Sequence, residues 1–118
     1  MRPYEVMIIF DAGLEEETVR SAVASYSQLI ESHGAEPGYI DFWGKRKLAY
    51  QVKHRSEGYY VVLQAMAEPP AMAELHRVIS LAEEVLRHKV LRIPLEVYGP
   101  PEAAGAAVAE GADAPGDG

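Results

Sequence analysis

Two short segments are apolar on both of their faces, and they decide most of what this chain can become. In Tyr4–Phe10, an extended backbone puts Tyr4, Val6, Ile8 and Phe10 on one side and Glu5, Met7 and Ile9 on the other. In Tyr59–Ala67 the run Tyr59, Tyr60, Val61, Val62, Leu63 is again apolar on both sides. Strands of this kind belong in the middle of a sheet, with neighbours at both edges. Simple burial is the expected state of Met7 and Ile9, ahead of a contact with a partner.

The segments between them read as helices and one further long strand. Asp11-Ala12-Gly13 breaks the first strand, and Leu14 opens a helix with Glu15, Glu16 and Glu17 in its first turn. Acids suit that end of the helix dipole. Val19, Ala22, Val23, Tyr26, Leu29 and Ile30 form one helical stripe, and Gly34 caps the end. Ala35-Glu36-Pro37-Gly38 reads as a turn. A second strand then runs from about Tyr39 to Lys53, with a bulge or bend expected at Gly44. Arg55-Ser56-Glu57-Gly58 is the expected turn into the third strand. Pro70 suits the first turn of a second helix, with Met72, Leu75, Val78, Ile79 and Ala82 inward. A last strand starts at Glu84 or Val85, and Pro94 closes it. The order β-α-β-β-α-β predicts an α+β, ferredoxin-like fold. In it a four-stranded antiparallel sheet carries two helices on one face, with the other face open for binding.

Charge divides the chain. The net charge is −7, but residues 99–118 contain Glu102, Glu110, Asp113 and Asp117, no Lys or Arg, and so hold −4 of it. That stretch is rich in Ala, Gly and Pro and has almost no large apolar residue except Val108, too little to offset the entropy of ordering. The expected organisation is a domain over 1–98 and a disordered acidic tail over 99–118. An acidic total argues against coating nucleic acid by bulk charge, and leaves room for a local basic face or a basic partner.

Such a face exists. From Trp43 to Arg55 there is no acid, while Lys45, Arg46, Lys47, Lys53, His54 and Arg55 all fall there, interleaved with Trp43, Leu48, Tyr50 and Val52. One assignment is a solvated edge strand whose lysines discourage edge-to-edge pairing. The other is an anion- or RNA-binding strand.

Nothing points to catalysis. Cysteine is absent, which rules out disulfides and thiolate chemistry and suits a reducing cytoplasm. No apolar run approaches a membrane span, and the N-terminus lacks a signal-peptide pattern. His33, His54, His76 and His88 lie far apart without zinc-ligand spacing, so no metal or other cofactor is expected. No phosphate-binding glycine loop or nucleophile elbow occurs. Arg20 beside the Gly13 turn suggests a phosphate site, but the acids Asp11 and Glu15 oppose it. RNA-recognition modules carry a basic-Gly-aromatic-small-aromatic run on the third strand. Here Glu57-Gly58-Tyr59-Tyr60-Val61 has an acid first and a valine last, so backbone contacts from the hairpin are expected more than base stacking on the sheet.

Gly44-Lys45-Arg46-Lys47-Leu48-Ala49-Tyr50 resembles the central signature of the bacterial small-subunit ribosomal protein six family. Met1-Arg2-Pro3-Tyr4-Glu5-Val6 resembles its opening, Glu57-Gly58-Tyr59-Tyr60-Val61 its Gly-Tyr-Tyr strand, and Val85-Leu86-Arg87-His88 its last strand. The matches span residues 1 to about 93, in order. The Ala35–Gly38 turn and the acidic tail depart from the pattern. The resemblance implies a non-enzymatic, ribosome-associated cytoplasmic protein on the platform of the small subunit. It would bind the central domain of small-subunit rRNA with the eighteenth small-subunit ribosomal protein as heterodimer partner, and no small-molecule substrate. The RNA-binding candidates are Arg2, Lys45, Arg46, Lys47, Lys53, His54, Arg55 and Arg87, all donors to phosphate oxygens. Tyr4, Trp43, Tyr50 and Tyr59 are candidates for stacking or a partner surface, with core packing the competing assignment. A different class of function stays open: a regulatory or protein-interaction module that dimerises through its open sheet face.

Overall fold

The computed structural model describes residues 1–100 of the 118. Its elements are β1 (Arg2–Asp11), α1 (Glu16–Ser32), β2 (Glu36–Val52), β3 (Arg55–Ala67), α2 (Pro69–Ser80) and β4 (Val85–Arg92), followed by a short 3-10 turn (Leu95–Val97). The sheet order is β2-β3-β1-β4 with every neighbouring pair antiparallel, so the two doubly apolar strands are the central ones. This is the β-α-β-β-α-β arrangement expected from the sequence.

Alternation assigns the helix-facing layer. Val6, Ile8 and Phe10 of β1 and Val61, Leu63 and Ala65 of β3 are fully buried against Val19, Val23 and Ile30 of α1 and Leu75 and Ile79 of α2. Each such aliphatic or aromatic side chain contributes roughly 1.5–3 kcal/mol by leaving water. α1 starts two residues later than the apolar pattern suggests, because Asp11 holds the preceding turn. Its carboxylate accepts from the Gly13 N–H at 2.9 Å, and its carbonyl from the Leu14 N–H at 3.1 Å. Past the C-cap His33 the helix is closed by Gly34, whose φ of +88° permits the Ala35 N–H to donate to the Ile30 carbonyl at 3.0 Å.

The second face differs from the expectation of an open surface. Met7, Ile9, Tyr60, Val62 and Leu86 are all buried there, packed against Trp43, Leu48 and Val52 of β2. Two segments of the same chain provide the cover. At one end the distal β2–β3 hairpin folds across the sheet, and Lys53 Nζ reaches the Val85 carbonyl of β4 at 3.2 Å. At the other end the chain after β4 crosses back as a strap. Gln64, fully buried on β3, donates to Glu5 Oε1 at 3.3 Å and lies 3.5 Å from the Val97 carbonyl, and it accepts from the Gly99 N–H at 2.7 Å. Tyr98 closes the strap on Gly38 of β2, where an added Cβ would fall 2.3 Å from the tyrosine oxygen. The described fold therefore runs through the expected boundary at 98. The rest of the expected tail, residues 101–118, lies outside the described residues.

Glu5 is buried beside Gln64, which the strap holds, and burial raises its carboxyl above the ordinary value of 4.5, against a smaller opposing effect of the Gln64 hydrogen bond. The folded protein thus holds this proton more tightly than the unfolded chain does. That contribution is fully present below pH 4.5 and is lost as pH rises through the folded value. Glu5→Gln keeps an oxygen for Gln64 and removes the buried charge. It is expected to raise stability by about 1 kcal/mol near pH 7, with the gain shrinking toward pH 4. Thermal melts of both proteins across pH 4–8 check this; a constant difference would show that burial of the charge is not the cause.

Candidate nucleic-acid interface

The hairpin that bears the basic segment is shaped by irregular pairing. Gly38 and Tyr39 together oppose Gln64, and Trp43 and Gly44 together oppose Tyr60, so β2 carries two bulges before its tip. Gly44 has φ +88°, which accounts for glycine at the second one, as the sequence suggested. Beyond Lys47, opposite Glu57, the four residues Leu48–Gln51 face only Ser56 before Val52 pairs with Arg55. These irregularities bend the arm over the sheet.

The turn sits two residues earlier than the sequence reading placed it. Arg55–Gly58 belongs to β3, and the chain reverses at Lys53 and His54, whose φ values are 51° and 64°. Likewise Glu36, Pro37 and Gly38 are already strand, because bulging rather than a turn absorbs the glycine. A two-residue reversal with both φ values positive favours Asn-Gly. Lys-His here costs about 1–2 kcal/mol per residue in backbone strain and sets two basic side chains at the hairpin tip. Lys53→Asn with His54→Gly is therefore expected to raise stability by about 1–2 kcal/mol. A chemical denaturation curve with an unchanged or lower midpoint would count against the strain.

Strand register decides how the central cations are displayed. Lys45 pairs with Tyr59 and Lys47 with Glu57, so both point to the helix side, while Arg46, opposite Gly58, points to the other. All three are exposed. The Arg46 guanidinium lies 4.9 Å from the Trp43 ring centre, and Trp43 stacks on Tyr60 with centroids 6.2 Å apart and planes 8° from parallel. The Trp43 Nε1–H donates to Asp41 at 2.8 Å, which locks the ring. Arg46 is thus held on an aromatic support at the root of the arm.

Other candidates are engaged within the protein. Arg55 pairs with Asp11 at 3.2 Å, an exposed bridge worth at most about 1 kcal/mol. Lys53 donates to the Val85 carbonyl, as above, and Arg87 donates to the Tyr50 hydroxyl while lying 5.6 Å from its ring centre. These contacts draw Lys53, Arg55 and Arg87 toward the same end of the sheet as Lys45–Lys47. Arg2 is not part of the group. It begins β1, whose far end, Asp11, meets the hairpin, so about 30 Å separate them at 3.3 Å per residue.

Tyr4 and Tyr59 require correction. Both lie in the helix-covered core, 9% and 6% exposed, because they share the parity of Val6, Ile8 and Phe10. Neither offers a stacking surface. Tyr60, overlooked in the sequence, carries the Trp43 stack in register with Ile9; the strand alternation that puts it on the face opposite Tyr59 was the signal that could have found it. Tyr50 remains on the surface at 48% exposure. Among the described residues no group of three or more potential ligands forms a metal site, and no helix is long and apolar enough to cross a membrane.

Comparison with known proteins agrees with this architecture. The family model described as ribosomal protein S6 matches residues 3–92. The small ribosomal subunit protein bS6 of Mycolicibacterium paratuberculosis is 44% identical over 92 residues, covering 78% of this chain and 96% of that protein. That of Desulforamulus reducens is also 44% identical over 92 residues, covering 78% and 97%. Among solved structures, the 30S ribosomal protein S6 of Thermotoga maritima superposes with a TM-score of 0.74 at 27% identity, covering 78% of this chain and 87% of that one. The C-terminal domain of the MgtC protein from Mycobacterium tuberculosis shares the fold alone, with a TM-score of 0.52 at 16% identity over 79% of this chain and 88% of that one. A sheet with two central apolar strands, a bulged basic hairpin and a match over nearly all of β1 to β4 leave one conclusion: this chain belongs to the ribosomal protein S6 family, a family of ribosomal proteins and not of enzymes.

Proposed function

We propose that this protein is a structural component of the small ribosomal subunit. It binds the central domain of small-subunit rRNA on the platform, together with the eighteenth small-subunit ribosomal protein. The observation that carries the reading is the exposed Lys45-Arg46-Lys47 run on a bent hairpin arm, with Arg46 braced on Trp43 and two more basic residues held in a strained turn. Guanidinium and ammonium groups on such an arm donate to phosphate oxygens without reading bases. Lys53, His54, Arg55 and Arg87 extend the basic end, while Arg2 at the far end of β1 offers a separate contact. Family membership supplies the ribosomal setting. The net charge of −7 fits a protein that shares its RNA site with a basic partner.

The function is placement: a rigid body holds RNA segments in one geometry and performs no reaction. Binding of a central-domain rRNA fragment, with and without the partner protein, tests it directly. Affinity is expected to fall as salt rises, with a log-log slope of about −0.7 to −0.9 per phosphate contact. A slope near zero would overturn the reading. Dimerisation through an open sheet face has little support, since Met7, Ile9, Tyr60 and Val62 are already buried under the hairpin arm.

A further inference from the structure

We infer that His76 and His88 form a two-imidazole site for a divalent late first-row transition ion, Cu(II) or Ni(II) foremost, that clamps α2 to β4. The fold brings the rings together. His88 pairs with Ile8, so it points toward the helix layer, where His76 stands on the exposed face of α2. Nε2 of His88 lies 2.9 Å from Nδ1 of His76, with ring centroids 4.8 Å apart and planes inclined by 47°. One nitrogen therefore donates and the other accepts.

The same separation suits a metal. With metal–nitrogen bonds of about 2.05 Å, two ligands at right angles stand about 2.9 Å apart, whereas a tetrahedral ion spreads them to about 3.3 Å. Tetragonal and octahedral geometries, the preference of Cu(II) and Ni(II), are thus matched more closely than that of Zn(II). Both lone pairs must swing from each other toward a common point. The terminal torsion of histidine is broad, so that rotation is cheap. The ring that held the shared proton then carries it on its other nitrogen. Arg77 stands beside His76 but is paired with Glu74 at 2.7 Å, and Lys89 stands beside His88 on an exposed position. Among the described residues no third ligand joins the pair, so water completes the coordination sphere.

Calorimetric titration of the full, untagged chain with CuCl2 or NiCl2 at pH 7.5 tests the site. The expected result is one ion per chain, tighter for Cu(II) than for Ni(II) or Zn(II). His76→Ala and His88→Gln should each weaken binding by about tenfold or more, while His33→Ala and His54→Ala leave it unchanged. Since His76 is exposed on a helix, alanine there leaves the fold intact. Ni(II) should also raise the melting temperature of the parent chain and not that of His88→Gln. Absence of saturable binding, or equal affinity in His76→Ala, overturns the proposal.

Discussion

Changing Lys45, Arg46 and Lys47 together to Glu is expected to abolish stable incorporation into small subunits while leaving the protein folded. All three side chains are exposed, and exposed substitutions usually move stability by no more than about 0.5 kcal/mol each. Loss of the Arg46–Trp43 contact adds about 0.5–1 kcal/mol. Against this, hydrogen bonds to charged groups are worth about 1.5–3 kcal/mol each. Losing only two of them weakens rRNA binding roughly a hundredfold or more. The salt dependence should flatten by about 0.7–0.9 per contact removed. Glutamate also separates this role from the other one open to a basic edge strand. β2 is an edge of the sheet, and charges of either sign there resist edge-to-edge association. If edge protection were the whole purpose, the Glu variant would stay monomeric and assemble as the parent does. Normal assembly by gradient sedimentation, with circular dichroism to verify folding, would therefore sink the RNA assignment.

Gly58→Ala is expected to destabilise the fold without removing a single charge from the basic arm. A Cβ at Gly58 would fall 2.3 Å from Cγ2 of Ile9 and 3.3 Å from the Phe10 carbonyl, with Leu48 Cδ2 at 3.5 Å. The first contact is a branch methyl in the packed second face, and the next is backbone, so neither yields freely. Overpacking of this kind costs about 1–3 kcal/mol. For a domain of this size that lowers the melting temperature by roughly 4–8 °C per kcal/mol. Because Gly58 pairs with both Asp11 and Arg46, the strain falls where the basic arm joins the sheet. Ile9→Leu removes the obstructing branch, so the double variant should recover part of the loss, a coupling that a mutant cycle measures. A melt within about 1 °C of the parent, well inside the shift expected, would show that the arm moves at little cost and is not locked to the sheet.

Much of the fold was legible because burial leaves a periodic record. The period of two in Tyr4–Phe10 and Tyr59–Leu63 and the helical stripes of Val19–Ile30 and Met72–Ile79 identify their elements locally. They also imply which strands are central. Gly44 announced its bulge because few other residues tolerate that backbone angle. The turn at Lys53-His54 was not legible, since neither residue favours positive φ and Gly58 nearby drew the assignment. Choosing Tyr59 over Tyr60 is a one-residue parity error, which in a strand exchanges core for opposite face.

The sequence by itself determined the order of elements, the two central strands, the apolar stripes of both helices and the concentration of positive charge near residue 50. Tertiary structure alone decided what lies over the second face and which cations meet which partners. Lys53 finds Val85 from 32 residues away and Arg87 finds Tyr50 from 37. His76 and His88 meet although no spacing suggested it. Such encounters depend on strand order, register and the bend introduced by bulges, all properties of the assembled sheet. A periodic pattern states that a side chain is buried, and only the closed fold states against what.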